Sequence, residues 1–369
     1  MTTESQTSAH GLRNDIRPRG RKYITVLALD GGGIRGVIPA RVVEALERRT
    51  GMPTCSLFDL IAGTSTGGII ALGLTKPEKG SKPRYSATDL VDLYRTEGPR
   101  IFQRDLAHTL LTLGGLAGPK YPGSTIESVL KSYFGETHIT EALTSVLVTS
   151  YDTAAATPYF FKSYRQTSSS AFDGAQNDDD YLMWQAARST SAAPTYFPPF
   201  RLKPIDTSAA DKSLLDGGVF ANSPAMCALA DAYKIFRGTD LPYLVVSIGT
   251  GNDDLRLVYQ DVKWRGLLRW AIPILKIVFD GVSDTVDYQA AEMADEYYRF
   301  QEEAIGVQLD DASPETIQRL LADADDLISR NDTTLTALAK VLKENVSPIG
   351  VREDAGKLLG TTSRSSHPA

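Results

Sequence analysis

Cysteine and histidine are scarce in this chain. Its 369 residues include 2 cysteines and 4 histidines. Cys55 and Cys227 lie far apart and lack the close spacing of a metal-binding pair, which argues against a disulfide framework. No group of histidine, cysteine and carboxylate residues follows a metal-ligand spacing, so we predict neither a bound metal nor another cofactor.

Long apolar runs and an excess of basic residues are also missing. The most apolar stretch, residues 264–282, is broken by charged residues and a proline, which argues against a transmembrane helix. The first 20 residues are polar and do not resemble a secretory signal. A net charge of −6 argues against a nucleic acid polymer as the main partner. Together these features predict a soluble, cytoplasmic protein.

Short apolar strands alternate with helices near the start of the chain. Residues 23–29 are rich in β-forming apolar side chains, and residues 37–49 carry apolar positions at helical spacing. A second strand, predicted over residues 57–62, leads into a helix over residues 67–74. This alternation predicts an α/β fold of three layers, in which a mostly parallel central sheet carries helices on both faces.

The remaining pattern predicts more strands and then a helical region. The strands are expected over residues 145–150, 158–162, 213–215 and 243–248. The C-terminal helices are expected over residues 283–301, 313–329 and 332–345.

No linker separates the predicted helical region from the predicted sheet. We therefore predict a single domain over residues 23–345, with the sheet ending at about residue 260 and the helical elaboration at about residue 345. Residues 1–22 are predicted to be a polar, flexible leader, and residues 346–369 a polar tail.

Three successive glycines follow the first strand, within the motif Asp-Gly-Gly-Gly-Ile-Arg-Gly at residues 30–36. Such glycines let backbone N–H groups turn inward beside a helix N-terminus, which creates a site for negative charge. The motif also matches the dinucleotide fingerprint G-x-G-x-x-G. However, the acidic residue that would hold a ribose at the end of the second strand is missing. A turn that only lets strand and helix pack closely is a third interpretation.

Ser65 lies in a second glycine motif, Gly-Thr-Ser-Thr-Gly, between the second strand and the next helix. In a nucleophile elbow of the G-x-S-x-G type, flanking glycines such as Gly63 and Gly67 permit the strained turn that exposes the serine hydroxyl. Beside a glycine-rich loop from another strand end, the motif indicates acyl transfer, because that reaction needs a nucleophile and N–H donors for an oxyanion.

The sequence does not favour a histidine as the base for Ser65. Two of the four histidines lie in the terminal tails. His108 and His138 occupy ordinary stretches with no strand-end acid ahead of them, and we interpret both as structural.

A third motif supplies a carboxylate in place of histidine. Residues 213–218 read Ser-Leu-Leu-Asp-Gly-Gly, so a short apolar strand ends in Asp216. The two glycines leave room for another segment to approach the carboxylate. Asp-Gly-Gly alone is typical of a plain turn, but here a carboxylate can fill the role of the missing base.

The three motifs, at residues 30–36, 63–67 and 216–218, resemble the signatures of the patatin-like phospholipases, in the family's order. Other stretches resemble the family as well, and they lie at residues 187–197, 247–251, 284–289 and 297–301. The similarity spans roughly residues 23 to 345.

The resemblance implies a patatin-like fold and a Ser-Asp dyad that cleaves fatty-acyl esters of membrane phospholipids. Ser65 attacks the ester carbonyl, Asp216 takes its proton, and water then hydrolyses the acyl-enzyme. The family groups with calcium-independent enzymes. An aspartate near its ordinary pKa is a poor general base, so we predict that the site of Asp216 is partly desolvated.

The resemblance also implies an oxyanion hole in the glycine-rich loop. Backbone N–H groups around Gly31, Gly32 and Gly33 hold the oxyanion, and Arg35 orients the loop or meets a phosphate.

Two other functions stay open at this point. An esterase or lipase that acts on neutral lipids has the same catalytic residues, because the head group takes no part in the chemistry. Bacterial patatin-like proteins of this size include phospholipases that cyclic nucleotides activate in anti-phage defence, so a cyclic nucleotide activator is an alternative partner. A non-catalytic dinucleotide-binding protein is disfavoured, since it leaves Ser65 unexplained. The sequence does not indicate the oligomeric state.

Residues 264–279 mix aromatic, aliphatic and basic side chains in the pattern of an interfacial helix. Trp264, Trp270 and Ile272 alternate there with Arg265 and Arg269. We predict that this segment helps the protein contact a bilayer peripherally; a helix buried against the sheet is the alternative.

Overall fold

The computed structural model describes residues 21–78, 82–103, 118–164, 180–204, 210–252, 258–264, 266–303 and 305–346. Nearly all of the predicted leader and tail, three of the four histidines and Arg265 lie outside these residues.

One eight-stranded sheet organises the molecule. Its strands are β1 (Ile24–Leu29), β2 (Leu60–Thr64), β3 (Ser145–Asp152), β4 (Thr157–Lys162), β5 (Phe200–Leu202), β6 (Lys212–Asp216), β7 (Tyr243–Ile248) and β8 (Glu296–Phe300). Their order is β5-β6-β3-β2-β1-β7-β8, with β4 also paired to β3. The neighbouring strands β3, β2, β1, β7 and β8 are parallel to one another. Strands β4 and β6 pair antiparallel with β3, and β5 pairs antiparallel with β6.

The helices connect and flank these strands. They are α1 (Val37–Thr50), α2 (Thr54–Leu57), α3 (Thr66–Thr75), α4 (Ala87–Ile101), α5 (Gly123–Phe134), α6 (Met183–Thr190), α7 (Gly218–Ala221), α8 (Ala225–Ile235), α9 (Tyr259–Val262), α10 (Leu267–Met293), α11 (Pro314–Arg330) and α12 (Asp332–Asn345). None of the described helices is long and apolar enough to cross a membrane.

Both faces of the central strands are buried, which explains why β1 is apolar at nearly every position. Leu27 and Leu29 pack on one face with side chains of α1, α4, α11 and α12. Ile24 and Val26 point to the other face and pack with Ala228 and other residues of α8. The predicted three-layer α/β architecture with a mostly parallel sheet is confirmed.

Local sequence signals set the bounds of α1. The helix begins directly after Gly36 and buries Val42, Val43 and Leu46 at the predicted spacing. Gly51 follows its last residue with φ 69°, a left-handed conformation that favours glycine, and its N–H caps the carbonyl of Glu47. The helix predicted over residues 37–49 is therefore confirmed.

Two predicted elements differ from the observed ones. The strand predicted over residues 57–62 begins later, because Thr54–Leu57 forms a helical turn and the strand covers Leu60–Thr64. The helix predicted over residues 283–301 is wrong in its second half. Helix α10 ends at Met293, and Glu296–Phe300 then pairs with β7 as a parallel strand. Pairing with β7 and the aromatic side chains of this segment favour the strand over the helix.

Candidate active site

Strand register brings Ser65 and Asp216 together. Thr64 is the last residue of β2 and pairs with Thr149 of β3, and the next residue of β3, Ser150, pairs with Asp216. Strand β4 pairs with the opposite edge of β3 over residues 147–152. Strands β2 and β6 therefore pair with the same edge of β3, one after the other. Asp216 therefore lies where β2 stops and the chain turns into Ser65.

Ser65 adopts the strained turn that the motif predicts. Its φ of 54° and ψ of −123° are rare for a residue with a side chain, and α3 begins at the next residue. The flanking glycines are required by close approaches: a Cβ on Gly63 would strike the carbonyl of Gly67, and one on Gly67 would strike the carbonyl of Leu29. Helix α3 thus presses directly against the ends of β1 and β2.

Thr190 of α6 holds the backbone of this turn. Its Oγ1 accepts a hydrogen bond of 2.7 Å from the N–H of Ser65. Thr190 is fully buried, so the acceptor is fixed by packing. Sequence reasoning did not assign Thr190 a role, although it lies in the stretch at 187–197 that resembles the family.

Asp216 is a buried carboxyl with two partners. The N–H of Gly218 donates a hydrogen bond of 2.8 Å to its Oδ1, and the Ser65 side chain lies close enough to the carboxyl to lower its pKa. Only 3% of the residue is exposed. Burial raises the pKa of Asp216 to about 7, against the lowering effect of its hydrogen bonds. The predicted desolvation of this site is confirmed, and the carboxylate is poised to accept a proton near neutral pH.

The glycine-rich loop presents the predicted oxyanion donors unequally. The N–H of Gly31 donates to the carbonyl of Asn222 at 3.0 Å, and the carbonyl of Gly31 accepts from Thr250 at 2.6 Å. Gly31 therefore anchors the loop instead of offering its N–H to a ligand. Among the described residues, no acceptor lies on the N–H groups of Gly32 and Gly33, which both line the same cleft as Ser65.

The contacts of Arg35 agree with one of its two predicted roles, orienting the loop, and not with the other, contact with a phosphate. Its guanidinium donates to the carbonyl of Val307 at 2.9 Å and to the carbonyl of Gly251 at 3.2 Å. The side chain is 3% exposed. Arg35 therefore fastens the loop to the segments that follow β7 and β8, which favours the orienting role over contact with a phosphate.

A cleft connects these residues. It encloses about 1070 Å³ of empty space, its open mouth included, and Ser65, Asp216, Gly32 and Gly33 lie along it. Beyond them its lining is mainly apolar, with contributions from Ile69, Leu93, Ile101, Phe102, Ile126 and Phe197. Such a lining suits an extended apolar chain.

His138, the one histidine among the described residues, lies apart from the cleft. It is 46% exposed at its side chain, and its Nδ1 lies 3.3 Å from a carboxylate oxygen of Asp180. The structural interpretation of His138 agrees with this position. In the described part of the chain, no group of three or more histidine, cysteine and acidic side chains could hold a metal ion.

Comparison with known proteins finds similarity to one family over most of the chain. The family model described as patatin-like phospholipase matches residues 27–229. Patatin-T5 of Solanum tuberosum is 34% identical over 344 residues, which cover 84% of this chain and 85% of the relative. Patatin-like protein 2 of Arabidopsis thaliana is 30% identical, with 85% of this chain and 84% of the relative covered.

A third relative qualifies the comparison. The protein named probable inactive patatin-3-Kuras 1, also of Solanum tuberosum, is 31% identical and covers 84% of this chain and 87% of its own length. The matched family model and the identities over most of both chains show that this chain belongs to the patatin-like phospholipase family.

Proposed function

We propose that this protein is a lipid acyl hydrolase of the phospholipase A type, in which Ser65 is the nucleophile and Asp216 the general base. One observation carries the proposal. A serine in a strained elbow lies beside a buried carboxyl whose pKa is about 7, and both line one apolar cleft. A carboxylate with that pKa is half deprotonated at neutral pH and can take the serine proton.

Acylation begins when the Ser65 oxygen bonds to the ester carbonyl carbon and its proton passes to Asp216. The carbonyl oxygen becomes an oxyanion, which the N–H groups of Gly32 and Gly33 are placed to stabilise. The tetrahedral intermediate then breaks its bond to the alcohol, which leaves with the proton from Asp216. The acyl group stays on Ser65.

Deacylation repeats these steps with water. Asp216 takes a proton from water as the water oxygen bonds to the acyl carbon. The bond to Ser65 breaks, and the serine oxygen recovers the proton as the fatty acid leaves. Each proton that Asp216 accepts is returned in the same half-reaction, so a metal ion is not needed to balance either step.

The apolar lining of the cleft supports a fatty-acyl substrate. Leu93, Ile101, Phe102 and Ile126 offer contacts along an alkyl chain, and each buried methylene stabilises the complex by about 0.8 kcal/mol. These contacts suit the acyl chain of a neutral lipid as well as that of a phospholipid. The preference between phospholipid and neutral lipid is therefore left to the assay of fatty-acid release described below.

Exposed apolar side chains in α10 and just before it support a peripheral contact with a bilayer. Trp264 is 87% exposed, and Ile274 and Ile277 of α10 are 46% and 39% exposed. Phe279, on the same helix, lines the cleft. The first half of α10 and the residues before it therefore offer an apolar surface for a lipid bilayer, on the helix that contributes Phe279 to the cleft.

Liposome sedimentation tests this contact. The double variant Trp264→Ala, Ile277→Ala should bind anionic phospholipid vesicles less tightly than the unchanged protein. Tyr288→Ala is the matched control, because it removes an exposed aromatic side chain nearer the other end of α10. Equal binding by all three proteins would contradict the contact.

The decisive test of the proposed function is an assay of fatty-acid release. Phospholipid vesicles and triacylglycerol emulsions should be compared for the unchanged protein, Ser65→Ala and Ser189→Ala. Ser189 is a matched control, since it is buried in α6 and donates to the carbonyl of Gln185. We expect release that Ser65→Ala abolishes and Ser189→Ala preserves, whereas release that survives Ser65→Ala would refute the dyad.

The same assay separates the alternatives. Each reaction should be run with and without cyclic dinucleotides. Activity only in their presence would select a nucleotide-activated effector, and activity only on the emulsion would select a neutral-lipid esterase. The absence of release under every condition would place this chain with the relative that is named probable inactive.

A further inference from the structure

A buried ion pair lies at the start of the glycine-rich loop. Asp30 follows the last residue of β1 and precedes Gly31, and it is 2% exposed. Its Oδ2 lies 2.7 Å from Nη2 of Arg299, whose side chain is 15% exposed. Arg299 comes from β8, well beyond residue 229, where the match to the family model ends.

Further contacts fix the direction of the Arg299 side chain. In the register of the sheet, Arg299 pairs with Ser247 of β7, and its Nη1 donates to the Ser247 hydroxyl at 2.8 Å. Its Nε lies 3.7 Å from Asp287 of α10, which also accepts a hydrogen bond of 2.5 Å from Tyr297. The guanidinium therefore reaches past β7 to the end of β1 and is held from two sides.

The backbone of Asp30 contacts the end of β7 and the first turn of α3. Its N–H donates to the carbonyl of Ile248 at 3.1 Å, and its own carbonyl lies against Gly67 in the first turn of α3. The next residues along the chain are the loop glycines. A shift of Asp30 would therefore move Gly32 and Gly33 relative to Ser65.

We propose that Arg299 is a positioning residue, which holds the N–H groups of Gly32 and Gly33 in place for the oxyanion through its ion pair with Asp30. This inference rests on the proposed function. It extends the machinery to β8 and α10, outside the residues that the family model matches. Arg299 does not line the cleft, so it acts on the reaction only through the loop.

Arg299 should affect the rate of the chemical step and not the binding of substrate. Binding of an acyl chain depends on the apolar part of the cleft, whereas oxyanion stabilisation depends on where the loop donors point. A displacement on the order of 1 Å can cost about 100-fold in rate. For Arg299→Ala and for Asp30→Asn we therefore expect kcat to fall by about 10- to 100-fold, with KM changed by less than about threefold.

Conservative and double variants distinguish positioning from a general structural role. Arg299→Lys keeps a positive charge beside Asp30 but cannot bond Ser247 at the same time. Its kcat should therefore lie between those of the unchanged protein and Arg299→Ala. Because both residues act through one ion pair, Arg299→Ala combined with Asp30→Asn should cost no more than the worse single variant. Additive losses would overturn the proposal.

The pH profile and a matched control complete the test. If Arg299 acts through the loop, the midpoint of the pH–rate profile stays where Asp216 places it in the unchanged protein. Arg41→Ala is the control, since Arg41 of α1 pairs with the buried Glu44 of the same helix and with Asp325 of α11, and does not line the cleft. We expect the control to lower stability and leave kcat within about twofold.

Three results would decide against the proposal. One is an unchanged kcat in folded Arg299→Ala and Asp30→Asn, and another is a loss that Arg41→Ala reproduces. The third is a shifted pH midpoint in Arg299→Lys, which would place the effect on the base. If Arg299→Ala does not fold, Arg299→Lys and Asp30→Asn carry the test. Failure of the proposed function is distinguished separately, by activity that survives Ser65→Ala.

Discussion

The side chain of Ser65 lies beside the carboxyl of Asp216, which is buried at the end of β6. The two residues meet because β2 and β6 share one edge of β3, end to end. An antiparallel strand thus brings the proposed base to the point where a parallel strand brings the proposed nucleophile. This arrangement allows a hydrolase site without histidine.

Asp216→Asn should nearly abolish esterase activity. The amide has the shape of the carboxyl but cannot take the serine proton, and loss of a general base typically costs about 100- to 10,000-fold. Hydrolysis of a soluble p-nitrophenyl acyl ester measures the effect. Asp152→Asn is a matched control, because Asp152 is a buried aspartate of β3 that accepts backbone N–H groups. An equal loss in both variants would point to general damage.

The rate should rise with pH through the pKa of Asp216. Because burial raises that pKa to about 7, the carboxyl is protonated and inactive as a base at lower pH. We expect kcat/KM to increase about tenfold per pH unit well below neutrality and to level off above it. A pH–rate profile on the soluble ester measures the midpoint, and a midpoint near 4 would show that the site does not desolvate its carboxylate.

The same pKa predicts a stability effect of Asp216→Asn. The folded carboxyl keeps its proton up to about pH 7, whereas the unfolded one loses it near pH 3.8. Between these values the native state binds more protons, so the unfolding free energy of the unchanged protein falls as pH rises. Asparagine carries no such penalty and should be more stable above pH 7, by up to about 4 kcal/mol.

Urea unfolding at two pH values checks this effect. The difference between Asp216→Asn and the unchanged protein should be large at pH 8 and small at pH 4. A difference that is independent of pH would mean that titration of Asp216 does not contribute to it.

Thr190→Val should slow the reaction without unfolding the protein. Valine has nearly the shape of threonine but offers no acceptor to the N–H of Ser65, so the strained turn loses its hydrogen bond of 2.7 Å. We expect kcat to fall by about tenfold. Thr75→Val is the matched control, since Thr75 is equally buried at the other end of α3 and its hydroxyl bonds only carbonyls of its own helix. Equal rates in the two variants would remove the proposed role of Thr190.

Much of the fold and site follows from local sequence signals. The apolar run of β1, the glycine that stops α1 and the elbow around Ser65 each depend on short-range chemistry, and the structure agrees with all three. The desolvation of Asp216 was predictable as well, because a base of that kind needs a raised pKa.

Long-range pairing accounts for what the sequence did not reveal. The sequence of β8 alone is compatible with the end of a helix, and its pairing with β7 makes it a strand. Strand β5 is too short to give an alternating pattern. The ion pair of Arg299 with Asp30 depends on the order of β8, β7 and β1 in the sheet. Likewise, only the structure shows that the N–H of Gly31 is bonded to Asn222.

Identification of the acylated residue tests the central claim most directly. The protein should be quenched in acid during turnover of an acyl ester and then digested, and its peptides mapped by mass spectrometry. We predict one acyl group, on Ser65, which is absent from Ser65→Ala and accumulates far more slowly in Asp216→Asn. An acyl group on any other residue, or undiminished labelling of Ser65→Ala, would contradict the proposed mechanism.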